Sequence, residues 1–89
     1  MPKSEPVGFV FPTEFPLRVF GRLGEEFEPF VMEIVRQHVA EEDILTVTSR
    51  PSSGNAYLAV TVTFTARSRD QLDALYRTLS SDQRVLMLL

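Results

Sequence analysis

The chain has no cysteine and no tryptophan, and His38 is its only histidine. Without thiols there is no disulfide, no thiolate metal site and no cysteine nucleophile, which fits a reducing compartment. A lone histidine leaves any metal centre to be built from carboxylates. Those of this chain gather at expected helix ends, as Glu25, Glu26 and Glu28 and as Glu41, Glu42 and Asp43, where water solvates them. Ser52 and Ser53 stand in no G-x-S-x-G elbow, so no spacing supports a Ser-His-Asp set. Gly21-Arg22-Leu23-Gly24 lacks the G-x-G-x-x-G pattern and the Walker lysine of phosphate loops. Basic charge is also short: nine Lys and Arg against twelve Asp and Glu leave a net charge of −3. A general pull toward nucleic acid or anionic lipid is therefore absent. No apolar run approaches the ~20 residues of a membrane span. The opening MPKSEPVGFVFPTEFP has no continuous apolar core of signal-peptide length. These absences lead to the expectation of a cytoplasmic, non-enzymatic protein without metal or cofactor.

What is present is β-strand and helix patterning dense enough for one domain; 89 residues do not divide into two independent cores. Tyr57 to Ala66, YLAVTVTFTA, alternates strictly. Leu58, Val60, Val62, Phe64 and Ala66 fall on one side, and Tyr57, Ala59, Thr61, Thr63 and Thr65 on the other. A period of two in a β-branched run predicts a long strand, interior to a sheet, with one face in a core. Ahead of it, residues 1–14 form a proline-punctuated extended or disordered arm carrying Phe9, Val10 and Phe11. The domain proper is expected over residues 15–89. Phe15 to Arg22 predicts a first strand, with Leu17 and Val19 inward and Arg18, Phe20 and Arg22 outward. Phe27, Phe30, Val31, Ile34, Val35, His38 and Val39 recur at threes and fours, an amphipathic helix whose Pro29 is tolerated in the first turn.

Ile44 to Arg50 predicts a further strand, with Leu45 and Val47 alternating against Thr46 and Thr48. A loop follows in which Gly54 and Asn55 are available for positive φ. Ser68 and Gln71 form a capping box before the helical stripe Leu72, Leu75, Tyr76 and Leu79. Arg84 to Leu89 predicts the last strand, with Val85, Met87 and Leu89 on one face and Leu86 and Leu88 on the other. The order βαββαβ is the α+β, ferredoxin-like two-layer sandwich: two helices cover one face of an antiparallel sheet of order 4-1-3-2.

The sheet face without helices is expected to present Arg18, Phe20, Tyr57, Leu86 and Leu88, a candidate surface for a homodimer or a protein partner. Base stacking on such a face needs aromatics at alternate outward positions of the central strands. Ala59 and Thr61 follow Tyr57, so nucleic acid is not an expected partner. Gly21, Arg22, Leu23 and Gly24 join the first strand to the first helix, and the two glycines would let a ligand approach the backbone closely. His38 reads as a structural residue.

The segments FPTEFPLRVFG at Phe11 to Gly21, VRQH ending at His38, RPSSGNAY at Arg50 to Tyr57 and the closing VLMLL resemble the YbeD-like family of small bacterial proteins. The resemblance runs from Phe11 onward. It implies a ferredoxin-like fold similar to the ACT regulatory domains, which bind amino acids and control metabolic enzymes. It implies no catalytic residues, and it connects the chain to lipoate metabolism only by association. The expectation that follows is a regulatory ACT-like module whose small effector binds at a subunit interface near the candidate ligand-binding residues Gly21, Arg22, Leu23 and Gly24, the loop where ACT domains place theirs; a protein-interaction adaptor using the open sheet face is the alternative.

Overall fold

The computed structural model describes residues 10–24, 26–52, 54 and 56–89. Phe9 and the rest of the arm before it lie outside the described residues, as do Glu25, Ser53 and Asn55. The elements are β1 (Thr13–Arg22), α1 (Phe27–His38), a single 3-10 turn (Glu41–Asp43), β2 (Ile44–Pro51), β3 (Tyr57–Ala66), α2 (Arg69–Ser80) and β4 (Met87–Leu88). They make one antiparallel sheet in the order β2-β3-β1-β4, with the two long strands in the centre. The expected ferredoxin-like plan is the observed one. β1 starts two residues before Phe15: Thr13 pairs with Ala66 and Glu14 with Thr65, while Phe11 packs against the core and Val10 is exposed.

The core follows from the two periodicities. Leu17 and Val19 of β1 and Val60, Val62, Phe64 and Ala66 of β3 are fully buried under the helices. Phe30, Val31, Ile34 and Val35 of α1 and Leu72, Leu75 and Leu79 of α2 press down on them. Met32 is buried as well, so the apolar arc of α1 is wider than the predicted stripe. Phe15 extends the core toward the end of the sheet, its ring 5.9 Å from Phe64 and edge-on to Tyr76 at 6.2 Å.

The start of α2 is closed by side chains. Ser68 Oγ accepts from the Gln71 amide at 3.1 Å, as the capping box predicts. The Gln71 Oε1 accepts from Arg67 N–H at 2.6 Å, one residue earlier than the usual box. In the hairpin between β2 and β3, Ser52 N–H donates to Tyr57 O and Ser52 Oγ accepts from Tyr57 N–H. Gly54 there takes φ +85°, the left-handed conformation expected of it.

Two facial assignments differ from expectation, both because one extra residue enters a ladder. In β2, Ile44 pairs with Phe64 and Thr46 with Thr63, so Leu45 is the extra residue. Ile44 and Val47 pack on the core, and Leu45 is left exposed. At β4, Met87 is the register partner of Phe20, yet Leu86 N–H also donates to Phe20 O. Two residues thus oppose one, and the alternation after that point reverses. Leu88 lies opposite Val19 and packs on the core, whereas Met87 lies opposite Phe20 on the open face. Leu89 joins Met87 there, because it exchanges backbone hydrogen bonds with Arg18. The expected outward position of Leu88 and inward positions of Met87 and Leu89 are corrected accordingly.

Candidate functional site

The β1–α1 junction is shaped by one close contact. Gly21 is the last core-facing position of β1 and is buried under the Phe27 ring, which occupies the space a side chain would take. With the chain pulled in at that point, the loop turns outward. Leu23 N–H donates to Ala56 O at 3.3 Å, tying the loop to the start of β3. Gly24 has open space where its side chain would be.

Beside this loop opens a cleft of about 490 Å³, within the range of small-molecule sites. Arg22 and Gly24 of the loop, Glu26 at the N-cap of α1 and Phe27 in its first turn line it. Gln83, Arg84 and Leu86, from the turn before β4, close the far side. Of the four expected ligand-loop residues, therefore, Arg22 and Gly24 line the cleft. Gly21 supports it from behind through Phe27, and Leu23 does not line it. Gln83 and Arg84 are sixty residues away in sequence, and periodicity carried no signal for them.

The two cleft guanidinium groups are unlike. Arg84 is held by Asp82 through two side-chain bonds of 3.1 Å and lies over the Phe30 ring, 3.8 Å from its centroid. Its hydrogen bonds to Asp82 push the Arg84 pKa up and hold the Asp82 carboxyl below its ordinary value. Arg22 is exposed and has no ion pair among the described residues. A fixed cation, a free cation, the Glu26 carboxylate and two apolar side chains therefore face one small volume. Such a set places charges of both signs beside an apolar surface.

The open sheet face keeps most of its expected residues. Arg18 is exposed, Phe20 half-buried and Tyr57 47 % exposed, whereas Leu88 has turned to the core. Leu86 remains exposed at the rim of the cleft.

His38 and the acidic groups have structural positions. Thr78 Oγ1 lies 3.2 Å from His38 Nε2, linking the end of α1 to α2. Glu41 pairs with Arg36 on the surface at 3.0 Å. Asp43 departs from the solvated-charge expectation: it is buried and takes a bidentate bond from Arg67, at 3.0 and 2.7 Å. That hydrogen bonding holds the Asp43 carboxyl below its ordinary value against the opposing effect of burial. Among the described residues, no group of three or more His, Cys, Asp and Glu could hold a metal ion, and no helix is long and apolar enough to cross a membrane.

Comparison with solved structures reports on the fold. The C-terminal domain of the MgtC protein from Mycobacterium tuberculosis superposes with a TM-score of 0.70 at 18 % identity, covering 97 % of this chain and 89 % of that one. The ACT domain from GTP pyrophosphokinase of Chlorobium tepidum gives 0.65 at 15 % identity, covering 86 % and 97 %. Comparison of sequences reports on the family. A UPF0250 protein of Paraburkholderia phytofirmans is 42 % identical over 81 residues, 91 % of each chain. One of Chromobacterium violaceum has the same identity and coverage, and one of Neisseria gonorrhoeae is 40 % identical over 79 residues, 89 % of this chain and 87 % of that one. The family model described as "Protein of unknown function (DUF493)" matches residues 8–89. With that match and those identities, the YbeD-like resemblance is borne out, and the chain belongs to the DUF493 (UPF0250) family.

Proposed function

We propose that this chain is a non-enzymatic regulatory module that binds a small zwitterionic effector, such as an amino acid, in the cleft between the β1–α1 loop and the turn before β4. The observation that carries this reading is the convergence of Arg22, Glu26 and Arg84 on one cleft of about 490 Å³ that Phe27 also lines. A carboxylate on the effector meets Arg22, a cationic group meets Glu26, and an apolar body lies on Phe27 and Leu86. The likeness of the fold to an ACT domain taken from a GTP pyrophosphokinase supports a regulatory role. Gly24, with nothing within 4 Å of its missing side chain, leaves the backbone open to the ligand.

A thermal-shift screen against amino acids, lipoate, nucleotides and common metabolites tests the reading. A ligand present at 100 times its Kd adds about 2.7 kcal/mol of stability. In a domain this small, that raises Tm by roughly ten degrees or more. The shift is expected to disappear in Gly24→Val and in Arg22→Ala, with the far-UV circular dichroism unchanged. A screen without a saturable shift, or a shift retained in both variants, overturns the proposal.

A further inference from the structure

Among the described residues, every arginine on the helical side except Arg77 has an ion pair. Arg36, Arg67, Arg69 and Arg84, all in the helices or the connections around them, each pair with a carboxylate. Arg18, Arg22 and Arg50 have no ion pair among the described residues, and all three are exposed. The sheet register brings these three onto one surface. Arg50 pairs with Ala59, Ala59 with Phe20, and Phe20 with Met87, which makes one row across all four strands. The next row is Thr48, Thr61 and Arg18, ending at Leu89. Tyr57 and Arg22 form the row on the other side. Paired residues in an antiparallel ladder share a face, so Arg18, Arg22 and Arg50 surround Phe20 on the side that no helix covers. From strand and residue spacings, Arg18 and Arg50 are roughly 12 Å apart. Glu14, at the far end of β1, is the one carboxylate of the described strands on this face. The open face is locally cationic on a chain whose net charge is −3.

We infer that this face docks an acidic amphipathic segment of a partner protein, with carboxylates against Arg18 and Arg50 and apolar side chains against Phe20, Met87 and Leu89. Met87 and Leu89 are each at least half exposed, so the apolar rim is ready for contact. The threonine rows Thr46–Thr63 and Thr48–Thr61 supply a flat surface with hydroxyls beside the cations.

Charge selects against the other occupants. A second copy docked face to face by a two-fold sets this arginine cluster against itself, and like charges across an interface are unfavourable. Tyr57 alone is an exposed ring on the face, whereas base stacking uses successive rings. A short protein segment with a few carboxylates fits the dimensions of the patch. Arg18 and Arg50 lie outside the cleft, so losing this partner and losing the effector are separable events.

The test is selection of random dodecapeptides displayed on phage against the immobilised full chain. The selected sequences are expected to be rich in Asp and Glu with interspersed apolar residues. A synthetic selected peptide is expected to shift amide resonances of β1, β2 and β3 on the open face. Its affinity should fall about tenfold or more in Arg18→Glu and in Arg50→Glu, and also in the unaltered protein as salt rises from about 0.05 to about 0.5 M. Circular dichroism and Tm of both variants, altered only at exposed positions, should match the parent. No enrichment, selected peptides without acidic excess, or affinity unchanged in both variants overturns the inference. Binding of an oligouridylate RNA that is lost in the same two variants overturns it in favour of a nucleic-acid face.

Discussion

The ring of Phe27 fills the place of a side chain at Gly21: a Cβ built there lies 2.2 Å from Phe27 Cε1. Phe27 is itself buried and lies against Phe30, 5.8 Å between ring centroids, so the ring has little room to retreat. Gly21→Ala should therefore destabilise the fold by about 1–3 kcal/mol through overpacking. Gly24→Ala, facing open space, should stay within about 0.5 kcal/mol of the parent. Urea midpoints of the two variants check the contrast, and equal midpoints would refute it.

Gln71 ties both helices together. Its Nε2 donates to His38 O at 2.9 Å, closing the carbonyl end of α1, while its backbone amide and Oε1 complete the start of α2. Gln71→Glu keeps the acceptor for Arg67 N–H but sets a carboxylate against the His38 carbonyl, at the negative end of the α1 dipole. It should cost about 1–2 kcal/mol, as much as Gln71→Ala. Chemical denaturation of both variants measures this, and a Gln71→Glu protein as stable as the parent would show that the bond to His38 is dispensable.

Acid stability should report the Asp43–Arg67 pair. Asp43 and Asp82 both titrate below their ordinary value of 3.8, each through hydrogen bonds from an arginine. A depressed carboxyl contributes stability that is complete above its unfolded pKa and is lost as pH falls through the folded one. The fall in denaturation midpoint should therefore begin below about pH 4 and continue as the pH drops further. Asp43→Asn should lower stability at pH 7 and flatten that acid limb; an unchanged limb would assign acid sensitivity to other groups.

The last strand offers a test of facing. Leu88 packs on the core opposite Val19, whereas Met87 is half exposed opposite Phe20. Leu88→Asp should destabilise by more than about 2 kcal/mol, since it places an unpaired charge at the core edge. Met87→Lys should leave stability within about 0.5 kcal/mol. Thermal melts of the two proteins would reveal the reverse order if the strict alternation of the sequence held through position 88.

The architecture was legible because its signals are local. The period of two in Tyr57 to Ala66 and the threes and fours of the two helical stripes report which side of each element is buried, and the observed core follows them. Ser68 caps α2 through its own short-range geometry, which spacing alone reveals. Arg22 and Gly24 were legible as a glycine-flanked approach to a helix start. Tertiary structure decided whatever depends on register. One extra residue at Leu45 left that side chain exposed, and another at Leu86 exchanged the faces of the residues after it; residue alternation cannot locate such an insertion. Asp43 meets Arg67 across 24 positions, and Arg84 reaches the Arg22 cleft across more than sixty, because strand pairing brings those segments together. Arg50 joins Arg18 and Arg22 for the same reason. Local pattern chooses the element and its buried side, while the neighbour opposite each residue is set only when the sheet closes.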